Sequence, residues 1–161
     1  TGRDNLITLH TCGKALGCEG ALVCAPAIVR DFIVNRGRPF IFSTAPSPLM
    51  AWLVRQALEI VANEPERQGR LHGLIRRAET RLAALGLPAS GSQIIPVVIG
   101  DNARTMRIAA ALQADGFDIR GIRPPTVPHG TARLRIAITL NVGEREIDAM
   151  TESLSAAMAA A

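Results

Sequence analysis

The apolar positions of the chain fall first into short runs broken by glycine and proline. Residues 6–9 and 21–24 are mostly apolar and predict two buried strands; the intervening stretch, 10–19, carries Gly13 and Gly17, with Gly20 just beyond. From Pro26 to Asn35, Ile28, Phe32 and Ile33 fit one face of a helix opened by a proline and closed by Gly37. Residues 39–42 read as a short extended piece leading to Ser43, Thr44 and Pro46. A long helix then runs from Pro46 or Pro48 to Asn63, with Leu49, Trp52, Leu53, Leu58 and Val61 as its predicted buried face.

Beyond this point the pattern becomes more regular. Leu71, Leu74, Ile75, Ala78, Leu82 and Leu85 recur at helical spacing after Pro65 and stop at Gly86 and Pro88. A strand over 93–99, a helix over 103–114, a short strand over 117–119, a proline-rich loop, a strand over 133–139 and a helix from Glu144 follow in turn. Pro96 marks the first of these strands as an edge or bulged strand, because proline cannot donate to a ladder on both sides. Along 133–139, Leu134, Ile136 and Ile138 share one face, and Arg133, Arg135 and Ala137 share the other. The alanine-rich end reads as a fraying helix. The fold class is α/β, in two structural units over residues 1–63 and 64–161.

Composition narrows the functional classes. Of 161 residues, 48% are hydrophobic and 20% charged, the balance of a folded globular chain. Apolar runs fall well short of the ~20 residues that span a bilayer, and no leader pattern is visible, so a cytoplasmic protein with no membrane partner is expected. The net charge of +4 comes from dispersed arginines; aromatics are 3% and tyrosine is absent, which leaves neither a basic run nor a stacking platform for nucleic acid. Cys12, Cys18 and Cys24, spaced six apart, match no paired metal-ligand pattern, so no metal site is expected and the three are read as reduced, mostly buried residues. The chain opens on Thr1 and soon enters a strand, so it reads as a piece of a longer protein.

One cation stands apart. Lys14 is the only lysine among 18 basic residues, the rest being arginine. An arginine stays protonated, whereas a lysine amine can serve as nucleophile or base. The segment Thr11-Cys-Gly-Lys14-Ala-Leu-Gly17 joins that amine to a hydroxyl and a permissive backbone, which is what an aldehyde cofactor bearing a phosphate requires. The glycine spacing matches neither the dinucleotide fingerprint nor a P-loop, whose lysine is followed by Ser or Thr and not by Ala15. On pattern alone Lys14 remains either a solvated loop cation or an imine-forming amine. A second constellation is Ile122-Arg123-Pro-Pro-Thr126-Val-Pro128, in which prolines stiffen the loop that presents Arg123, the arrangement suited to clamping a carboxylate. A rigid surface loop with an incidental arginine is the competing reading. Arg133 and Arg135, on the polar strand face, are taken as structural, and His10, His72 and His129 as incidental.

Together, Thr11-Cys-Gly-Lys14, Phe42-Ser43-Thr44, Ile99-Gly-Asp-Asn102 and Ile122-Arg-Pro-Pro-Thr-Val-Pro with Gly130-Thr-Ala-Arg-Leu-Arg135 resemble the α-oxoamine synthases in content and order. That resemblance covers essentially the whole chain. It implies the C-terminal portion of a fold type I pyridoxal 5'-phosphate-dependent transferase, comprising the end of the large domain and the small α/β C-terminal domain. It implies Lys14 as the lysine that holds the cofactor aldehyde and Thr11 as a phosphate donor. Thr44, with Ser43, would reach the phosphate of a neighbouring subunit's cofactor in a homodimer. Arg123 would hold the amino-acid carboxylate, with Thr126 in the same substrate loop. The proline-rich wording is most similar to the biotin-pathway branch, which joins L-alanine to a pimeloyl thioester carried on CoA or acyl carrier protein. Synthases that use glycine or serine with another acyl thioester, and a non-catalytic α/β fragment, are the alternatives. The family's ring-stacking histidine and ring-nitrogen aspartate lie upstream of the lysine, so the chain by itself is expected to be inactive.

Overall fold

Two antiparallel strands, β1 (Thr8–Thr11) and β2 (Ala21–Cys24), form a hairpin in the computed structural model, which describes residues 5–161. Residues 1–4, and with them the reading of an opening at Thr1, lie outside the described residues. The ladder runs from Thr8 opposite Cys24 to Thr11 opposite Ala21. It therefore begins two residues later than the apolar run predicts, because beyond Cys24 the partner strand reaches Pro26, which has no N–H and opens a helix. Thr11 accordingly lies in the strand and not in the loop. The chain divides into two compact units, one ending at Glu64 and the other formed by Pro65–Ala161.

In the N-terminal unit the hairpin is followed by α1 (Ala27–Arg36), α2 (Arg38–Ile41) and α3 (Pro48–Asn63). The extended piece expected over 39–42 is instead a single helical turn. Pro39 occupies the first turn of α2, where its fixed φ is already helical, and the N–H groups of Phe40 and Ile41 both donate to the Gly37 carbonyl at 2.9 Å. At α3, the Ser47 hydroxyl accepts from Leu49 N at 3.3 Å and Pro48 takes the first helical position.

The predicted burial of this unit is not observed. Leu49, Trp52, Leu58 and Val61 are exposed, as are Ile28 and Phe32, while Leu53 and Ile33 are half-buried. Among the described residues of the unit only Cys12 and Val54 are buried, and the unit holds fifteen of the eighteen exposed large apolar side chains. The helices have apolar faces, as their spacing indicates, with nothing in the unit laid against them. Trp52, for example, remains 56% exposed. Of the three cysteines, all free thiols, Cys12 is buried, Cys18 is half-buried and Cys24 is exposed, which corrects the expectation of general burial.

The C-terminal unit is built around a three-stranded antiparallel sheet in the order β3 (Ile94–Gly100), β5 (Ala132–Ala137), β4 (Arg120–Ile122). β3 is an edge strand with an irregularity between Val98 and Gly100, in keeping with Pro96. β4 begins where the predicted strand over 117–119 ends. The segment before it instead turns sharply, with Ile119 N donating to Phe117 O at 2.7 Å. The helices α4 (Pro65–Ala83), α5 (Asn102–Ala114) and α6 (Glu144–Ala160) supply one continuous core with the sheet. Val97 opposite Leu134 and Ile95 opposite Ile136 form its floor. Ile108 and Leu112 of α5, Leu82 of α4 and Leu154 of α6 close it from above. No helix among the described residues is long and apolar enough to cross a membrane.

Polar devices hold the helix layer. The Asp101 side chain caps α5 by accepting from Arg104 N at 2.7 Å. Arg104 and Arg107 of α5 donate to the carbonyls of Met158 and Ala161 at 3.0 Å each, and Ala157 is buried. The alanine-rich end, read as a fraying helix, is helical to Ala160 and is bonded to α5, with Arg104 satisfying one of the carbonyls that a helix C-terminus leaves open. Between α4 and α6, Asp148 accepts from Arg77 Nε at 3.0 Å and from Arg81 Nε at 2.8 Å, and Glu144 pairs with Arg77 at 2.8 Å.

Hydrogen bonds from Arg81 and Arg77 hold the Asp148 carboxyl well below the usual carboxylate range. A carboxyl whose folded pKa lies below its unfolded value of about 3.9 adds stability that is full above that value and fades as pH falls beneath it. Asp148→Asn should therefore lower the urea midpoint at pH 7, with the gap to the unmodified chain narrowing as pH drops below about 4. Urea titrations at pH 7 and pH 3 check this, and an equal gap at both would contradict it.

Candidate active site

The hairpin presents Lys14 through its backbone bonding. Cys12 N donates to Gly20 O at 2.9 Å, one step beyond the last ladder pair, and Cys18 N donates to Cys12 O at 2.9 Å. Across this neck, residues 13–17 form the tip, where Gly17 N donates to Lys14 O at 3.0 Å. The return requires positive φ at Gly17 (62°) and Gly20 (89°), conformations that glycine adopts without a side-chain clash. Lys14 is exposed at this tip and makes no ion pair or hydrogen bond through its amine among the described residues. Thr11 Oγ1 accepts from Gly13 N at 3.4 Å, a long contact that leaves its O–H free to donate. Lys14 thus sits on the hairpin tip, three residues beyond Thr11, which ends β1.

Ser43 and Thr44 follow α2, on the connection to α3. Arg38 stacks on the Phe42 ring at 5.3 Å, which braces this corner. The Ser43 hydroxyl donates to Pro39 O, so its single proton is already committed, whereas Thr44 is exposed with its hydroxyl unpartnered among the described residues.

Arg123 and Thr126 belong to the C-terminal unit, just past β4, in a turn closed by Thr126 N donating to Arg123 O at 3.1 Å over Pro124 and Pro125. The Pro124–Pro125 bond is cis. The loop ends in a second turn, where Thr131 Oγ1 donates to Pro128 O at 2.7 Å. Arg123 is exposed, its guanidinium unpartnered among the described residues.

Arg133 and Arg135, both expected to be structural, differ in their partners. Arg133 is structural, since its Nε donates to Thr131 O at 3.0 Å, but Arg135 is exposed and its guanidinium has no partner among the described residues. Arg135 lies directly opposite Arg120 of β4, on the sheet face that carries no helix. Like charges face to face across a ladder are unfavourable unless an anion is shared or one is otherwise paired; here Arg120 pairs with Asp118 at 2.6 Å. Arg135 is thereby left without a partner among the described residues, opposite the first residue of β4. The alternation of Arg133 and Arg135 was visible in the sequence, whereas the pairing that distinguishes them was not. No cluster of three or more metal-ligating side chains occurs among the described residues.

Known proteins with similar sequence or structure bear on these groups. An 8-amino-7-oxononanoate synthase from Anaeromyxobacter dehalogenans is 42% identical over 161 residues, covering 98% of this chain and 40% of that protein. The chain thus spans about two fifths of the length of the curated relatives it matches. In fold it is similar to 8-amino-7-oxononanoate synthase from Francisella tularensis, with a TM-score of 0.82 and 23% identity over 94% of this chain and 45% of that one. It is likewise similar to a serine palmitoyltransferase from S. paucimobilis with bound PLP–myriocin aldimine, with a TM-score of 0.85 and 23% identity over 96% of this chain and 40% of the other. These two likenesses show the expected fold, that of part of a fold type I enzyme. Residues 1–154 match the aminotransferase class I and II family, and the chain belongs to that family.

Proposed function

We propose that this chain is the C-terminal part of an 8-amino-7-oxononanoate synthase, an acyltransferase of biotin biosynthesis that condenses L-alanine with a pimeloyl thioester, on CoA or acyl carrier protein, with loss of carbon dioxide. The observation that carries the reading is the Lys14 turn: the only lysine of the sequence, its amine without a partner among the described residues, three residues after a hydroxyl whose proton is free. The identity of 42% to a protein of that name supports it. The activity, its substrates and its cytoplasmic setting belong to the proposal.

The donor set suits pyridoxal 5'-phosphate. An exposed primary amine meets the need of an aldehyde, and the Thr11 and Thr44 hydroxyls, each with a proton to give, meet the need of phosphate oxygens. Ser43 is the weaker donor, because its proton is held by Pro39 O. When bound, the cofactor supplies an electron sink for the carbanion formed at the amino acid's α-carbon. Lys14 Nζ is the group that would hold the cofactor's aldehyde and, as a free amine, would be the base for the α-proton. The Arg123 guanidinium holds the amino-acid carboxylate and so orients the bond that breaks, with Thr126 in the same turn. Arg135 is a second cation open to a carboxylate. Thr44 acts across the interface of a homodimer, on the neighbouring subunit's phosphate.

A synthase using serine or glycine is the second reading, and the fold likeness to serine palmitoyltransferase is compatible with it. At 23% identity that likeness speaks for fold alone, so the 42% relative carries more weight. The ring-stacking and ring-nitrogen groups of the family are not among the candidate residues here. The 161-residue chain is therefore expected to release no thiol when given cofactor, L-alanine and pimeloyl thioester. Turnover by the chain alone would show that the site is complete without them.

Two experiments on the full-length protein test the assignments. Borohydride reduction in the presence of pyridoxal phosphate should modify Lys14 and block tryptic cleavage there, joining residues 4–30 in one peptide. An adduct on another lysine, with Lys14 unmodified, overturns the reading. Arg123→Ala should weaken L-alanine binding tenfold or more, as expected for losing a charge-assisted partner worth about 1.5–3 kcal/mol, with cofactor binding little changed. An unchanged alanine titration would remove Arg123 from the site.

A further inference from the structure

We propose that Cys12 and Cys18 form a redox-active dithiol, able to close a disulfide across the neck of the Lys14 loop on reaction with a low-molecular-weight disulfide. The inference rests on the hairpin alone and does not depend on what Lys14 binds.

The neck is set by one backbone bond, Cys18 N to Cys12 O at 2.9 Å. A single backbone bond of this length holds two α-carbons roughly 5–6 Å apart, and it is the only bond the two residues share, since Cys12 N goes to Gly20 O. That separation falls inside the window of about 4.4–6.8 Å found for disulfide α-carbons, and closure requires the sulfurs to turn from the carbonyls they face, Cys12 Sγ from His10 O and Cys18 Sγ from Leu16 O. The bridge would therefore reinforce a junction the fold already makes. Both residues are free thiols, and their exposures differ in a useful way. Cys12 is 1% exposed, with its Sγ directed toward His10 O at 4.0 Å; Cys18 is half-buried, with its Sγ 3.2 Å from Leu16 O. An incoming reagent reaches Cys18 first, and the shielded Cys12 resolves. Cys24, exposed at the far end of the ladder opposite Thr8, has no cysteine across from it.

The chemistry balances as two exchanges. The Cys18 thiolate attacks a small disulfide such as oxidised glutathione, forming a mixed disulfide and releasing one thiolate. The Cys12 thiolate then attacks the Cys18 sulfur, forming the Cys12–Cys18 bond and releasing the second. The reagent takes up two electrons and leaves as two thiols, and the two cysteines lose their protons to the released thiolates. The product is a closed ring from residue 12 to residue 18, with Lys14 inside it.

The sequence supplies a direct assay. Trypsin cuts after Arg3, Lys14 and Arg30, so Cys12 falls in peptide 4–14, while Cys18 and Cys24 share peptide 15–30. The 161-residue Cys24→Ala chain, equilibrated in glutathione buffers and digested without reduction, should yield the linked pair 4–14/15–30 from a product of monomer mass. Because cysteines six apart also pair in an unfolded chain, the same chain in urea is the reference. The folded chain should reach half-oxidation at a ratio of oxidised to squared reduced glutathione at least tenfold lower than the unfolded one. Equal or harder oxidation in the folded chain overturns the proposal, as does linkage only between two chains. In the unaltered sequence, an unlinked 15–30 peptide lighter by two hydrogens would mark a Cys18–Cys24 bond and would also overturn it.

Discussion

The alternation along β5 is the constraint on which the C-terminal unit depends. As the central strand it is bonded on both sides, so its register fixes β3 and β4 together. Leu134 and Ile136 go to the helix layer, while Arg133 and Arg135 go to the open face. A slip of one residue would exchange the two sets, burying guanidinium groups and exposing the floor of the core. The Asp148 clamp between α4 and α6 and the arginines of α5 at the end of α6 secure the helix layer over that floor.

The N-terminal unit obeys a different logic. Its order is local: a hairpin closed by short-range bonds, and helices started by prolines and a serine cap. Its large apolar side chains are not gathered into a core, as Ile28 at 79% and Phe42 at 74% exposure illustrate. Exposed apolar area on this scale marks surface that is suited to burial. Relatives more than twice as long as this chain have the additional sequence to cover such a surface. The candidate cofactor groups lie in this unit and the candidate carboxylate groups in the other.

Much of this was legible in the residues because the signals were local. Pro65, the leucine spacing after it, Asp101 before α5 and the alternation of 134, 136 and 138 each specify an element through its own chemistry. The Lys14 turn was equally legible, since glycines that must take positive φ and a lone lysine are both visible in one dimension. What failed was whatever depends on a partner. Periodicity identified the apolar faces of α1 and α3 but could not reveal that nothing in the unit covers them. Residues 39–42 read as a short extended piece, where the first-turn preference of Pro39 prevailed. Arg135 looked like its neighbour Arg133 until the pairing across the sheet separated them.

Gly121 gives the Arg123 turn an adjustable seat. A β-carbon built there would lie 2.8 Å from Met106 Sδ, 3.3 Å from Thr105 Cγ2 and 3.6 Å from Ala109 Cβ, so α5 rests against bare backbone of β4. The methionine end is flexible and can yield to a single methyl, whereas a branched side chain would have to lift the strand from the helix. Two residues later the chain leaves β4 at Arg123. The spacing between helix and strand at one glycine therefore sets where that turn leaves the sheet, and side-chain volume at position 121 offers a means of shifting the turn without altering any of its own residues.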